Sequence, residues 1–151
     1  MSYESYPVVV AGDDHTFFEF TSVGPRGRIK KAVAFMPAED LRFFNLAFGD
    51  VRPDSSRPDD QVVTDNGDRD KVLATIAEIV DLYTEHFPER WVYFRGSTRE
   101  RTRLYRIAIT VNLEILKSKY LIYTVTRGED PQPFVAGATA FDFFLIKRKN
   151  I

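Results

Sequence analysis

The chain has 151 residues, 21 Lys+Arg against 22 Asp+Glu, and no cysteine. The length suits one domain, and the missing thiols exclude a disulfide scaffold, a thiolate zinc site, an iron–sulfur cluster and a cysteine nucleophile. The balanced charge and a pI near 6.1 argue against a polybasic nucleic-acid binder.

Residues 1–14 read as a loose lead-in broken by Pro7 and Gly12, and residues 15–149 as a single domain. Met1–Val10 lacks the pattern of a secretory signal, and no apolar run reaches the ~18 residues of a membrane helix, so a cytoplasmic location and no membrane partner are expected. Thr16–Val23 alternates as a strand. Gly24-Pro25-Arg26-Gly27 reads as a turn, and Arg28–Met36 returns as the second strand of a hairpin. Leu41–Gly49 alternates again. Asp50–Gln61 is polar and holds Pro53 and Pro58, so it reads as a long loop. Apolar residues from Val72 to Phe87 recur at helical spacing, which predicts a helix over residues 68–86 ended by Pro88. Trp91–Arg95 is a short strand and Gly96 breaks it. Ser97–Lys117 reads as a second long helix, with Ser97 and Glu100 at capping-box spacing. Tyr120–Thr126 is a strand, Gly128–Pro133 a turn region, and Phe141–Ile146 the last strand. The order β-β-β-α-β-α-β-β predicts an α+β fold: one mostly antiparallel, twisted sheet with two helices packed on one face.

Charge is uneven along this order. Residues 50–70 carry a local −4 and residues 90–106 a local +5, and arginine outnumbers lysine 14 to 7. Arginine is favoured where planar contacts to carboxylate or phosphate matter.

The chain also resembles a known group. The carriers are Gly24-Pro25-Arg26-Gly27-Arg28-Ile29-Lys30-Lys31, Asn45-Leu46-Ala47-Phe48-Gly49-Asp50, Asn66–Thr75, Gly96-Ser97-Thr98 with Arg101–Tyr105, and Phe144–Lys149. As a set they resemble a family of small uncharacterised bacterial proteins carried as a domain of unknown function. The resemblance covers residues 15–149. It implies a cytosolic bacterial protein and transfers no activity.

The sharpest candidate site is strand, Gly96, then a helix start. A helix N-terminus presents free N–H groups and partial positive charge, which suits an anion. Gly96, Ser97, Thr98, Arg99, Arg101 and Tyr105 are therefore the candidate anion-binding residues, with Asp65 and Asp68 as candidate acidic partners. At 3.6 residues per turn, Arg99, Arg103 and Arg106 fall within about 60° of arc. Ile107, Val111, Leu104, Ile115, Ala108, Tyr105 and Leu116 fill the other side, with Arg101 inside their arc. The competing explanation is structural: Ser97 and Glu100 cap the helix, the arginine stripe faces water, and Arg101 pairs with Asp65 or Asp68.

Other chemistry finds little footing. Asp65-Asn66-Gly67-Asp68-Arg69-Asp70 looks like a calcium loop, but Arg69 and Ile76 stand where ligands are needed. His15 and His86 read as separate structural histidines. Trp91, Tyr93 and Phe94 beside Arg95 fit a sheet core better than a base-stacking platform. No metal, cofactor or catalytic residue is expected.

The leading expectation is a non-catalytic interaction protein that forms homo-oligomers, because its many aromatics exceed what one sheet face and two helices would bury. The alternatives are a binding module for a phosphate-bearing small molecule at Gly96-Ser97-Thr98 with Arg101, and an enzyme using Asp68, Arg101 and Tyr105.

Overall fold

The computed structural model describes residues 4–12, 14–51, 58–59, 65–96 and 98–149. Among these are nine strands and three helices. In chain order they are β1 (Val9–Ala11), β2 (Phe17–Gly24), β3 (Gly27–Pro37), β4 (Phe43–Val51), β5 (Pro58–Asp59), α1 (Arg69–His86), β6 (Trp91–Phe94), α2 (Arg99–Val111), α3 (Leu113–Lys119), β7 (Tyr120–Val125), β8 (Gln132–Pro133) and β9 (Phe143–Arg148). The class is α+β, and the sheet is mostly antiparallel. The backbone divides into two compact units, Met1–Met36 with Leu46–His86, and Pro37–Asn45 with Phe87–Ile151.

In the first unit the β2–β3 hairpin follows its sequence pattern. Gly24 pairs with Gly27 across Pro25-Arg26, and Gly27 takes φ +91°, a region that suits a residue without Cβ. Alternation buries Phe18, Phe20 and Ser22 on β2, while Lys31 to Phe35 are buried without interruption on β3. The inward stripe of α1 includes Ile76, Ile79, Val80 and Tyr83. The Tyr83 ring lies parallel to Phe35, centroids 3.7 Å apart. Thr75 and Thr84, both buried on α1, donate back to the carbonyls of Lys71 and Val80, so their burial leaves no orphan hydroxyl. Buried Lys31 finds its counter-charge on β4, with Nζ 2.7 Å from Asp50 Oδ1.

The described residues of the lead-in pack onto the first unit. β1 pairs antiparallel with β2, and Tyr6 is only 7% exposed. Tyr6 stacks on Phe20, its N–H donates to Thr75 Oγ1, and Lys71 lies over its ring. Proline and glycine punctuate this segment, yet packing of one aromatic outweighs their turn signal.

In the second unit the start of β4 runs parallel to β6, and β6 and β7 each pair antiparallel with β9. A parallel pair needs a long connection, and α1 lies within it. Val92 and Phe144 are fully buried. Phe144 gathers Phe94, Phe134 and Phe141 around it. The Arg90 guanidinium lies 4.1 Å from the Phe44 ring centre and 3.7 Å from that of Phe87, which anchors the chain as it enters β6.

The predicted helix 97–117 is two helices. Asn112 interrupts it with φ −105° and ψ 16°, and its side-chain amide donates to the Ala108 carbonyl. Asparagine competes for backbone partners in this way, and so weakens a helix from inside. The third strand runs to Val51, past its predicted end at Gly49, so Asp50 belongs to the sheet and not to a loop. Most of the predicted loop 50–61 lies outside the described residues. The last strand begins two residues later than its alternation indicated.

Candidate functional site

The strand–glycine–helix segment forms as the sequence indicates, but its cap shifts by one residue. Thr98, not Ser97, is the N-cap of α2, and its Oγ1 accepts from the Arg101 N–H at 3.3 Å. Ser97 itself lies outside the described residues. Thr102, which sequence reasoning passed over, completes the turn. Its hydroxyl accepts the Gly96 N–H at 3.0 Å and lies 3.1 Å from the Thr98 carbonyl oxygen, to which it donates. The signal was the i, i+4 spacing of two threonines after a glycine. Gly96 is buried because the helix closes onto it: a Cβ there would stand 2.4 Å from the Thr102 nitrogen and 2.5 Å from Arg101 Cβ. The glycine therefore makes room for the chain's own first turn.

Arg101 is half-buried and Arg99 is exposed. One turn beyond Arg101, the Tyr105 ring meets Phe94 edge-on at 5.7 Å. Burial pushes the Tyr105 phenol up to about 12, and the Arg101 charge opposes that rise. Part of the residue's surface stays accessible, so it is the hydroxyl end that is desolvated.

The two candidate acidic partners are engaged within the first unit. Asp65 Oδ1 accepts from the Gly67 N–H at 3.0 Å, closing a local turn ahead of α1. Asp68 Oδ2 accepts from the Tyr6 hydroxyl and from Ser22 Oγ, each at 2.5 Å. Asn66 extends this cluster: its Nδ2 donates to Ser22 Oγ and to the Gly27 carbonyl, while its Oδ1 accepts the Arg26 N–H at 2.7 Å. Ser22 and Asn66 are 0% and 1% exposed, so the cluster meets no solvent-borne substrate at those groups. It ties the lead-in, the hairpin turn and the start of α1 together. Burial first, and then the Asp68 hydrogen bond, raise the Tyr6 phenol above its ordinary range. Nothing at Tyr6 in the sequence signals this role.

His15 and His86, read separately from sequence, stack with ring centroids 4.2 Å apart, and His15 takes φ +58°. Among the described residues, no three His, Cys, Asp or Glu side chains converge as a metal site. No described helix is long and apolar enough to cross a membrane.

Several aliphatic side chains are exposed, among them two groups, one on β1 and one on α2 and α3. Val9 and Val10 of β1 are 64% and 42% exposed. Neither α2 nor α3 has a buried residue, and Ile107, Val111 and Ile115 lie open on them. Periodicity located the apolar arc correctly, but the part from Ile107 to Ile115 faces outward.

Over residues 2–149 the chain matches the model of a family of unknown function, DUF6934. No curated protein and no solved structure matches it.

Proposed function

We propose that this chain, which belongs to the DUF6934 family of unknown function, is a non-catalytic interaction protein of the bacterial cytoplasm that self-associates through the outer edge of β1. The supporting observation is the edge itself. β1 stands at the end of the strand order, and among the described residues only β2 pairs with it. Successive side chains on a strand point to opposite faces, so exposure of both Val9 and Val10 leaves both faces uncovered there. Residues 5–12 hold no charged side chain. Edge strands that avoid pairing are kept short or carry lysine, inward charges, proline or bulges; β1 is short and has Pro7 two residues ahead of it, but it holds no charge. Antiparallel pairing of β1 with its own copy is self-complementary about a two-fold axis. Light scattering and sedimentation over a rising concentration series test the reading. The expected result is a wild-type dimer and a folded, monomeric Val9→Lys/Val10→Lys variant. A wild-type monomer at high concentration overturns it.

A second reading, a phosphate-bearing ligand at the start of α2, rests on half-buried Arg101 beside the desolvated Tyr105 hydroxyl. It loses support from the turn, where Thr102 and Thr98 engage the N–H groups of Gly96 and Arg101. A thermal-shift screen of nucleotides on wild type and Arg101→Ala decides it: stabilisation of the wild type alone sustains the reading, and no shift removes it. The enzyme reading has Asp68 as its base, and that carboxylate is engaged by Tyr6 and Ser22.

A further inference from the structure

We infer that the outward face of α2 and α3 is a docking surface for an acidic, apolar-faced segment of another protein. Two neighbouring features of α2 and α3 define the partner. The first is a set of open aliphatic side chains: Ile107 and Val111, four residues apart on α2 at 42% and 77% exposure, followed past the break at Asn112 by Ile115 on α3 at 56%. That spacing is how one helix presents anchors to a second helix or a groove. The second is charge. α2 and α3 together carry Arg99, Arg101, Arg103, Arg106, Lys117 and Lys119 against Glu100 and Glu114. Arg99 and Arg103 are exposed, and by helical arithmetic Arg103 lies about 40° from Ile107 on the helix surface. A segment that covers the ridge therefore meets arginines along its border.

This combination selects among occupants. A second copy of the chain laid on the same face would set arginine against arginine, and like charges across an interface disfavour that partner. An anionic bilayer would accept the charge. Helices that lie in a membrane interface, however, insert Trp, Phe or Leu, and this ridge offers only short β-branched side chains. A protein segment bearing Asp or Glu beside Leu or Ile satisfies both features. It gains apolar burial at the ridge and ion pairs at its rim, and the rim pairs govern selectivity and association rate. This surface belongs to the second unit and the β1 edge to the first, and each proposal is tested by its own variants.

The test is a selection on the immobilised full-length chain. The probe is a displayed library of helical peptides of about four turns, with Leu or Ile fixed along one face and acidic or basic residues randomised beside it. Selected peptides are expected to be strongly acid-enriched, to bind more weakly as salt rises, and to lose at least about tenfold in affinity to Val111→Glu and, separately, to Arg103→Glu. Both residues are exposed, so circular dichroism of each variant is expected to match wild type. No enrichment, enrichment of basic peptides, or affinity unchanged in both variants overturns the inference. Co-sedimentation with phosphatidylglycerol vesicles that is abolished by Val111→Glu would assign the face to a membrane. A change of oligomeric state in Val111→Glu would assign it to a second copy. Either of these outcomes also overturns it.

Discussion

Replacing Tyr6 with phenylalanine removes one oxygen and leaves the ring. The ring keeps its stacking on Phe20 and its place under Lys71. The hydroxyl, however, donates to Asp68 Oδ2 at 2.5 Å and accepts the Val23 N–H at 3.0 Å. A hydrogen bond to a charged group contributes about 1.5–3 kcal/mol, and the second, part-buried bond from Val23 about 0.5–1.5 kcal/mol. Asp68 still has Ser22, which softens the first loss. The expected destabilisation of Tyr6→Phe is therefore about 2–4 kcal/mol. For a chain of this size that is a fall in Tm of roughly 4–16 °C. Urea unfolding followed by circular dichroism measures it, with an unchanged m-value as the sign that the unfolded state is the same. In an Asp68→Ala background the same substitution should cost about 1–2 kcal/mol less, because the pair shares one bond. There is also a pH signature. The fold favours the neutral phenol of Tyr6, raising it above 10.0, so its contribution is complete below pH 10 and is lost as pH rises through the folded value. The gap between wild type and Tyr6→Phe should accordingly narrow above pH 10. A cost below about 0.5 kcal/mol, the level of an ordinary surface change, would refute the staple.

Other positions give sharp expectations. Gly24→Ala would place a Cβ 1.9 Å from the Asn66 backbone oxygen, and should destabilise by about 3 kcal/mol or more in the same unfolding assay. Gly128→Ala, with nothing within 4 Å but φ +84°, should cost only about 1–2 kcal/mol. Lys31→Met breaks the buried pair with Asp50 and should cost about 3–5 kcal/mol, most of it regained in Lys31→Met/Asp50→Leu. Hydrogen bonds from Arg42 hold the Asp40 carboxyl down at about 2, so an NMR titration should find its midpoint there, and Arg42→Ala should return it toward 3.8. The stability this pair lends is present above the ordinary carboxylate range and is lost as pH falls toward 2.

The elements that depend on local chemistry were legible. The hairpin turn carries two glycines at the positions that pair, and Pro88 follows the end of α1 by two residues. Features set by distant partners were not. Lys31 reads as a surface residue until Asp50, nineteen positions on, supplies its counter-charge. Tyr6 reads as part of a tail until Asp68 and Thr75 appear beside it. The apolar arc of α2 illustrates a different limit. Periodicity shows that a helix has an apolar side but not whether the fold covers it, and here Val111 remains 77% exposed. At the candidate anion site the strand, the glycine and the start of a helix were legible, and the side-chain closure of the turn was not. Thr102 fills it by a side chain whose reach back to Gly96 depends on the closed helix.

The staple at Tyr6 has a consequence for biosynthesis. Its partner Asp68 lies 62 residues downstream. At about 5–20 residues per second of translation, the N-terminal segment waits roughly 3–12 s for that partner to be made. Throughout that interval Val8-Val9-Val10 has neither α1 to hold Tyr6 nor a charged neighbour to discourage stray pairing. A nascent chain of this design benefits from rapid translation or chaperone cover between residues 6 and 68, and least from slow codons within that stretch, which prolong the wait.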